Sequence, residues 1–303
     1  RDITDDSNNV AIGFRAGSNL TESSNVVIGS DAARLGTSFT DSVVIGTSAI
    51  GTGVATGTAN IVIGKTAGEI LTSAASNILI GHSAGQALTT GGDNIFIGQD
   101  AGDDHDAETN NLGIGKGSLG GAINGGEYNI AIGNATLDAL TSGDGNTAIG
   151  YNAGTAATTG GLNTIVGKDA GSGVLTDAAG HNLMLGYEAG YSLTSGTNNT
   201  LVGGKGPGYS MTTGANNIFI GFETGDGNDA ENNNLGIGNS ALGGPIAGGE
   251  YNVAIGNLTL DALTSGDSNV AIGYQAGTDL TEGATNILVG HSAGANITTA
   301  SAS

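Results

Sequence analysis

The chain has 303 residues, among them 58 Gly, seven Tyr, five Phe, no Trp and no Cys, with a formal net charge of −21. So few large side chains exclude two ordinary globular cores, the aliphatic content excludes a disordered polar tract, and glycine without a three-residue period excludes collagen. The charge excludes a binder of phosphate backbones, which needs clustered Lys and Arg, and no apolar run is long enough to span a bilayer, so neither nucleic acid nor membrane insertion is expected.

Residues 8–13 read NNVAIG, and this phrase returns along the chain as SNVVIG at 24–29, ANIVIG at 59–64, YNIAIG at 128–133 and SNVAIG at 268–273. Indexed on its glycine it occurs 17 times, at Gly13, Gly29, Gly46, Gly64, Gly81, Gly98, Gly115, Gly133, Gly150, Gly167, Gly186, Gly203, Gly221, Gly238, Gly256, Gly273 and Gly290. An aliphatic residue precedes every one of these glycines, and Asn stands four before in all but the coil of Ser42. Many coils carry a small residue three after the glycine and Leu-Thr at seven and eight, as in Leu20-Thr21 and Leu280-Thr281. A unit near 17 residues is too short for a pair of helices, and the β-branched runs favour strand. Gly and Asn tolerate the left-handed backbone that tight corners need. The expected fold is all-β: a parallel β-solenoid of about 17 coils, stacked at about 4.8 Å into a rod roughly 80 Å long, with the Asn side chains laddered at one corner. The whole of 1–303 reads as a single repeat array. Within it 94–155 and 217–278 align at an offset of 123 with 46 identities in 62, the trace of a duplicated seven-coil block. The array is expected to be a piece of a longer fibre, because solenoids need caps.

The middle residue of each strand is apolar too. With Val10 and Ile12 pointing into the coil, alternation turns Ala11 outward, and with it Phe96, Ala148, Ile165, Leu201 and Phe219. These residues are the expected oligomer interface, an apolar stripe of about 800 Å², one partner's share of a standard interface.

Two further sets of side chains are candidates. Phe14, Tyr151, Tyr187, Phe222 and Tyr274 follow the motif glycine on a row expected to face solvent, where they can stack on a glycan receptor; the bland reading is a solvated row that collects long side chains. GDDHDAETNN at 102–111 and GDGNDAENNN at 225–234 lose the Leu-Thr pair and concentrate Asp103, Asp104, Asp106 and Glu108, then Asp226, Asp229 and Glu231. Closely spaced oxygen ligands suit Ca²⁺, the one cofactor considered, although the spacing is not that of an EF-hand; the plainer reading is a polar loop bulging from the rod. Uniform coils, no Cys and no recognisable His pattern give no enzyme.

NNVAIGFRAG and SNVAIGYQAG resemble the head repeats of trimeric autotransporter adhesins and, more closely, the repeats of cyanophage-like phage tail fibres. The resemblance covers about Asn8 to Thr299, with a coil longer than the adhesin repeat. It implies a β-roll, a homotrimer and an extended attachment fibre. The expected function is a structural and adhesive fibre segment of a virion tail, mediating attachment to a host cell-surface glycan or protein. The alternative is the head of a bacterial trimeric surface adhesin or another extracellular filament. An ice-binding solenoid would want a regular Thr array, and here the Thr column is broken at Asp106, Ile123, Asp229 and Ile246; a polysaccharide depolymerase would want an irregular pocket.

Overall fold

In the computed structural model, which describes residues 8–176 and 179–301, the chain is a parallel β-solenoid with one short strand per repeat and no helix among the described residues. The backbone gathers into two compact units, Arg1–Asn146 and Thr147–Ser303. The first holds β1 (Val10–Ile12), β2 (Val26–Ile28), β3 (Val43–Ile45), β4 (Ile61–Ile63), β5 (Ile78–Ile80), β6 (Ile95–Ile97), β7 (Leu112–Ile114) and β8 (Ile130–Ile132). The second holds β9 (Thr147–Ile149), β10 (Thr164–Val166), β11 (Leu183–Tyr187), β12 (Thr200–Lys205), β13 (Ile218–Ile220), β14 (Leu235–Ile237), β15 (Val253–Ile255), β16 (Val270–Ile272) and β17 (Ile287–Val289). Within each unit every strand pairs in parallel with the next, motif position against motif position: Val43 with Ile61, Val44 with Val62, Ile45 with Ile63.

The remainder of each coil is a run of turns that bond to the same turns one coil on. Gly68 N donates to Ala84 O at 2.9 Å and Thr72 N to Thr89 O at 2.9 Å. Corners form where the backbone turns left-handed, two residues after the motif glycine (Thr66, φ 54°; Ser83, φ 57°) and just before the Asn (Ser76, φ 61°; Asp93, φ 59°). The motif glycine itself is fixed twice over. Gly64 has φ 147°, and a Cβ there would overlap the carbonyl of Gly81 in the next coil.

The Asn ladder is present and it points inward. Asn94 N donates to Asn77 Oδ1 at 2.9 Å, while Asn77 Nδ2 donates to Gly91 O at 3.0 Å. The same pair of bonds recurs at Asn182, which receives Asn199 N at 3.0 Å and donates to Gly196 O at 2.9 Å. Each carboxamide thereby satisfies one amide and one carbonyl that the corner would otherwise bury unpaired.

This ladder reverses the expected facing of the strands. Asn and the middle residue lie two apart and therefore share a face. With Asn inside, the middle residue is inside as well. Phe96, Ala148, Ile165, Leu201 and Phe219 are fully buried within their own chain, packed in the coil with the Ala and Leu columns such as Ala84 and Leu88. They are the solenoid core and not an outward stripe. The flanking residues are the ones that face out: Val10, Ile12, Ile61, Ile130, Ile149, Ile218, Ile220 and Ile272 are all exposed.

The acidic segments do not bulge. Asn94 Nδ2 bonds Glu108 O at 2.8 Å and Thr89 N bonds Asp106 O at 2.8 Å, the bonds that Gly91 and Thr89 receive one coil earlier. Their path is the ordinary coil, with His105 and Asn228 standing where Leu88 stands in its coil, fully buried.

Candidate functional site

Reversal of the strands leaves an aliphatic face on the outside of each unit. Two columns of side chains, from the first and third residue of every strand, stand side by side along the ladder. In the first unit all are Val, Leu or Ile; in the second Thr147, Thr164 and Thr200 are the polar members. Burial by neighbours along the ladder is partial, and Ile220 remains 38% exposed.

The calcium expectation meets a different arrangement. Glu108 and Glu231 are buried and bond backbone: Glu108 Oε2 accepts from Asp106 N at 2.9 Å and Oε1 from Gly125 N at 3.0 Å. Glu231 repeats this with Asp229 N at 2.8 Å and Gly248 N at 2.9 Å. Asp106 and Asp229 each accept the hydroxyl of a Thr one coil earlier, Thr89 and Thr212. No group of three or more His, Cys, Asp or Glu is gathered to hold a metal ion among the described residues. Glu108 and Glu231 thus serve the corner, accepting the amides of Asp106 and Gly125 and of Asp229 and Gly248. Asp103 faces Asp104, and burial followed by this like charge pushes its pKa up to about 6. Asp226 points elsewhere, as described below.

Phe14, Tyr151, Tyr187, Phe222 and Tyr274 are all exposed, as expected for their row. Several are covered from a neighbouring position. The Arg15 guanidinium lies 4.7 Å from the Phe14 ring centre, Lys168 Nζ 5.1 Å from that of Tyr187, and Lys205 Nζ 5.6 Å from that of Phe222. The His291 ring stands 5.3 Å from Tyr274.

One stretch departs from the regular coil, and it concentrates these contacts. β11 and β12 run to five and six residues, and their register shifts between Leu185 and Tyr187 so that Tyr187 meets Lys205. The cause is legible in GGKGPG at 203–208, which carries one residue more than GYEAG at 186–190 before the shared Gly-Tyr-Ser. The β-bulge lifts the turn and leaves a hollow of about 190 Å³ lined by Glu188, Lys205, Gly206, Tyr209, Glu223 and Asp226. Tyr209 is held by a parallel stack on Tyr191, ring centres 4.9 Å apart and 4° from coplanar. Lys205 Nζ pairs with Glu223 Oε1 at 2.7 Å. Burial, and then the charge of Glu223, raises the Asp226 pKa; burial, and then Glu188, raises that of Tyr209.

The chain matches no protein-family model and no curated protein. The geometry therefore carries the functional reading. It offers an exposed aliphatic face and, on another row, an aromatic and acidic hollow. Reading by columns had picked out Tyr187, Phe222 and Asp226, but not Glu188, Tyr191, Lys205, Tyr209 or Glu223. The signal that marks them is the extra residue and the Pro207 of the 203–208 run, a break in the period with no place in a per-column tally.

Proposed function

We propose that this protein is a structural and adhesive fibre segment, in which copies of the chain pack together through the outward aliphatic face and the exposed row and hollow meet a cell surface. The carrying observation is that face. At about 4.8 Å per strand, and with two side-chain columns about 10 Å across, the eight strands of the first unit and the nine of the second carry about 400 Å² of aliphatic surface each among the described residues. Single chains rarely leave more than a few hundred Å² of contiguous apolar surface in water, and the areas of the two units add up to about 800 Å², one partner's share of a stable interface. The row differs from the one expected from sequence, but its role is the same. The resemblance of the repeats to tail-fibre and adhesin heads supports three copies and an attachment role, outside the cell or on a virion. A core of small and aliphatic side chains closed by backbone ladders suits a mechanical spacer, since every coil repeats the same bonds as the last.

The mass of the chain in solution tests this. Light scattering at micromolar concentration is expected to return three times the chain mass. A monodisperse single-chain mass across the concentration range would overturn the reading, because the aliphatic face would then stand in water.

A further inference from the structure

The hollow at the bulge has a chemistry of its own. At about 190 Å³ it is smaller than the pockets that hold drug-sized ligands or cofactors, and it suits one small ring. Three of its six lining residues are carboxylates, which when ionised only accept hydrogen bonds. The single ammonium, Lys205, is already paired with Glu223. The phenol of Tyr209 contributes a hydroxyl and an aromatic surface, and the stack on Tyr191 holds its ring in place, so little conformational freedom is lost when a ligand arrives. A ligand complementary to this lining presents several hydroxyl donors, an apolar ring face for Tyr209, and no anionic group, which Glu188 and Asp226 would repel. Because Glu223 neutralises Lys205, Glu188 and Asp226 leave the hollow acidic, and neutral and amino sugars both fit its lining. We infer that the hollow formed by Glu188, Lys205, Tyr209, Glu223 and Asp226 binds a pyranose without an anionic group, the sugar unit of a surface glycan.

This inference rests on the attachment reading and names the ligand class for it. It also explains why the irregularity sits here. A uniform coil offers a flat row on which a sugar can lie, whereas the bulge opens a concave seat that surrounds it with groups from three successive coils: Glu188 from one, Lys205 and Tyr209 from the next, Glu223 and Asp226 from the third.

The test is ligand-observed NMR on the full chain with methyl pyranosides of glucose, galactose, mannose and N-acetylglucosamine, beside glucuronate and glucosamine as the acidic and cationic counterparts. Saturable binding of at least one neutral pyranoside is expected, with glucuronate weaker and glucosamine no weaker than the neutral sugars. Tyr209→Ala should weaken it about tenfold, the order of one aromatic contact. Asp226→Asn, which keeps the shape, should weaken it through the lost acceptor, while Tyr128→Ala, an exposed tyrosine outside both the row and the hollow, should change nothing. Circular dichroism on each variant confirms the fold, and Asp226→Asn decides the matter if Tyr209→Ala perturbs it. No saturable neutral-sugar binding, a preference for glucuronate, or binding untouched by both hollow variants would overturn the inference. Mass measured on the same samples separates the two readings: an assembled chain that binds no sugar defeats only this one, and a single chain that binds sugar defeats only assembly.

Discussion

Asn77 shows how one side chain fixes a whole coil. Its Oδ1 takes the amide of Asn94 and its Nδ2 serves the carbonyl of Gly91, both buried. Asn77→Ala strands one donor and one acceptor in the core, and a loss of about 2–4 kcal/mol in unfolding free energy is expected by denaturant titration. A loss below about 0.5 kcal/mol would mean that the ladder is decorative. His105 presents a second test at this scale. It stands in the Leu column, fully buried against Phe96, with neither ring nitrogen hydrogen-bonded. Burial, opposed by the charge of Glu108, lowers its pKa from 6.5 to about 4. The unfolded chain therefore takes up a proton below about 6.5 that the folded chain refuses until about 4. Stability is full above that window and falls through it, by about 3 kcal/mol in total. Asp103 acts in the opposite direction: its raised pKa costs stability above about 6, and the cost is relieved as pH falls towards 3.8, though its partial exposure weakens the effect. Melting curves between pH 7 and pH 4 should thus show less acid destabilisation in His105→Leu than in the parent. Parallel curves for the two proteins would refute the buried, neutral imidazole.

At the scale of the strand, the period and the ladder could be read from the sequence, and the facing could not. A three-residue strand with three apolar residues has no alternation to read, so the Val-Val-Ile of β2 gives no sign of which side is wet. The sign lay one residue outside the strand, in the parity of Asn, whose carboxamide has to face the carbonyls of its own corner. The expected bulge at the acidic segments is absent for a related reason. Losing Leu-Thr looks like losing the coil, but Glu108 and Glu231 supply side-chain acceptors for the amides at that corner and keep the path regular. The facing makes a direct prediction about neighbouring residues. Phe219 is fully buried, and Phe219→Ala should cost about 3–5 kcal/mol in a stability titration. Ile220, one residue later, should cost less than about 1 kcal/mol per dissociated chain when changed to Ala, and its effect should appear in the mass of the assembly. Equal losses of fold stability from the two changes would contradict the assignment of faces.

For the whole molecule, the charge of −21 bears on the proposed assembly. Copies brought together along an aliphatic face repel one another through their acidic rows, and salt screens this over about 10 Å at 0.1 M. Sedimentation at rising ionic strength should therefore shift towards the larger species, with no change in circular dichroism; dissociation by salt would point to ion pairs in place of aliphatic burial. The chain contains no cysteine, so a single introduced thiol reports one position alone. The most direct test is the thiol-labelling rate of Ile220→Cys in the assembled protein, set between Phe219→Cys as the buried standard and Tyr274→Cys as the exposed one. Covered by a second copy, the thiol at 220 should react as slowly as that at 219. A rate equal to that of Tyr274→Cys would place the aliphatic face in water and contradict assembly through it.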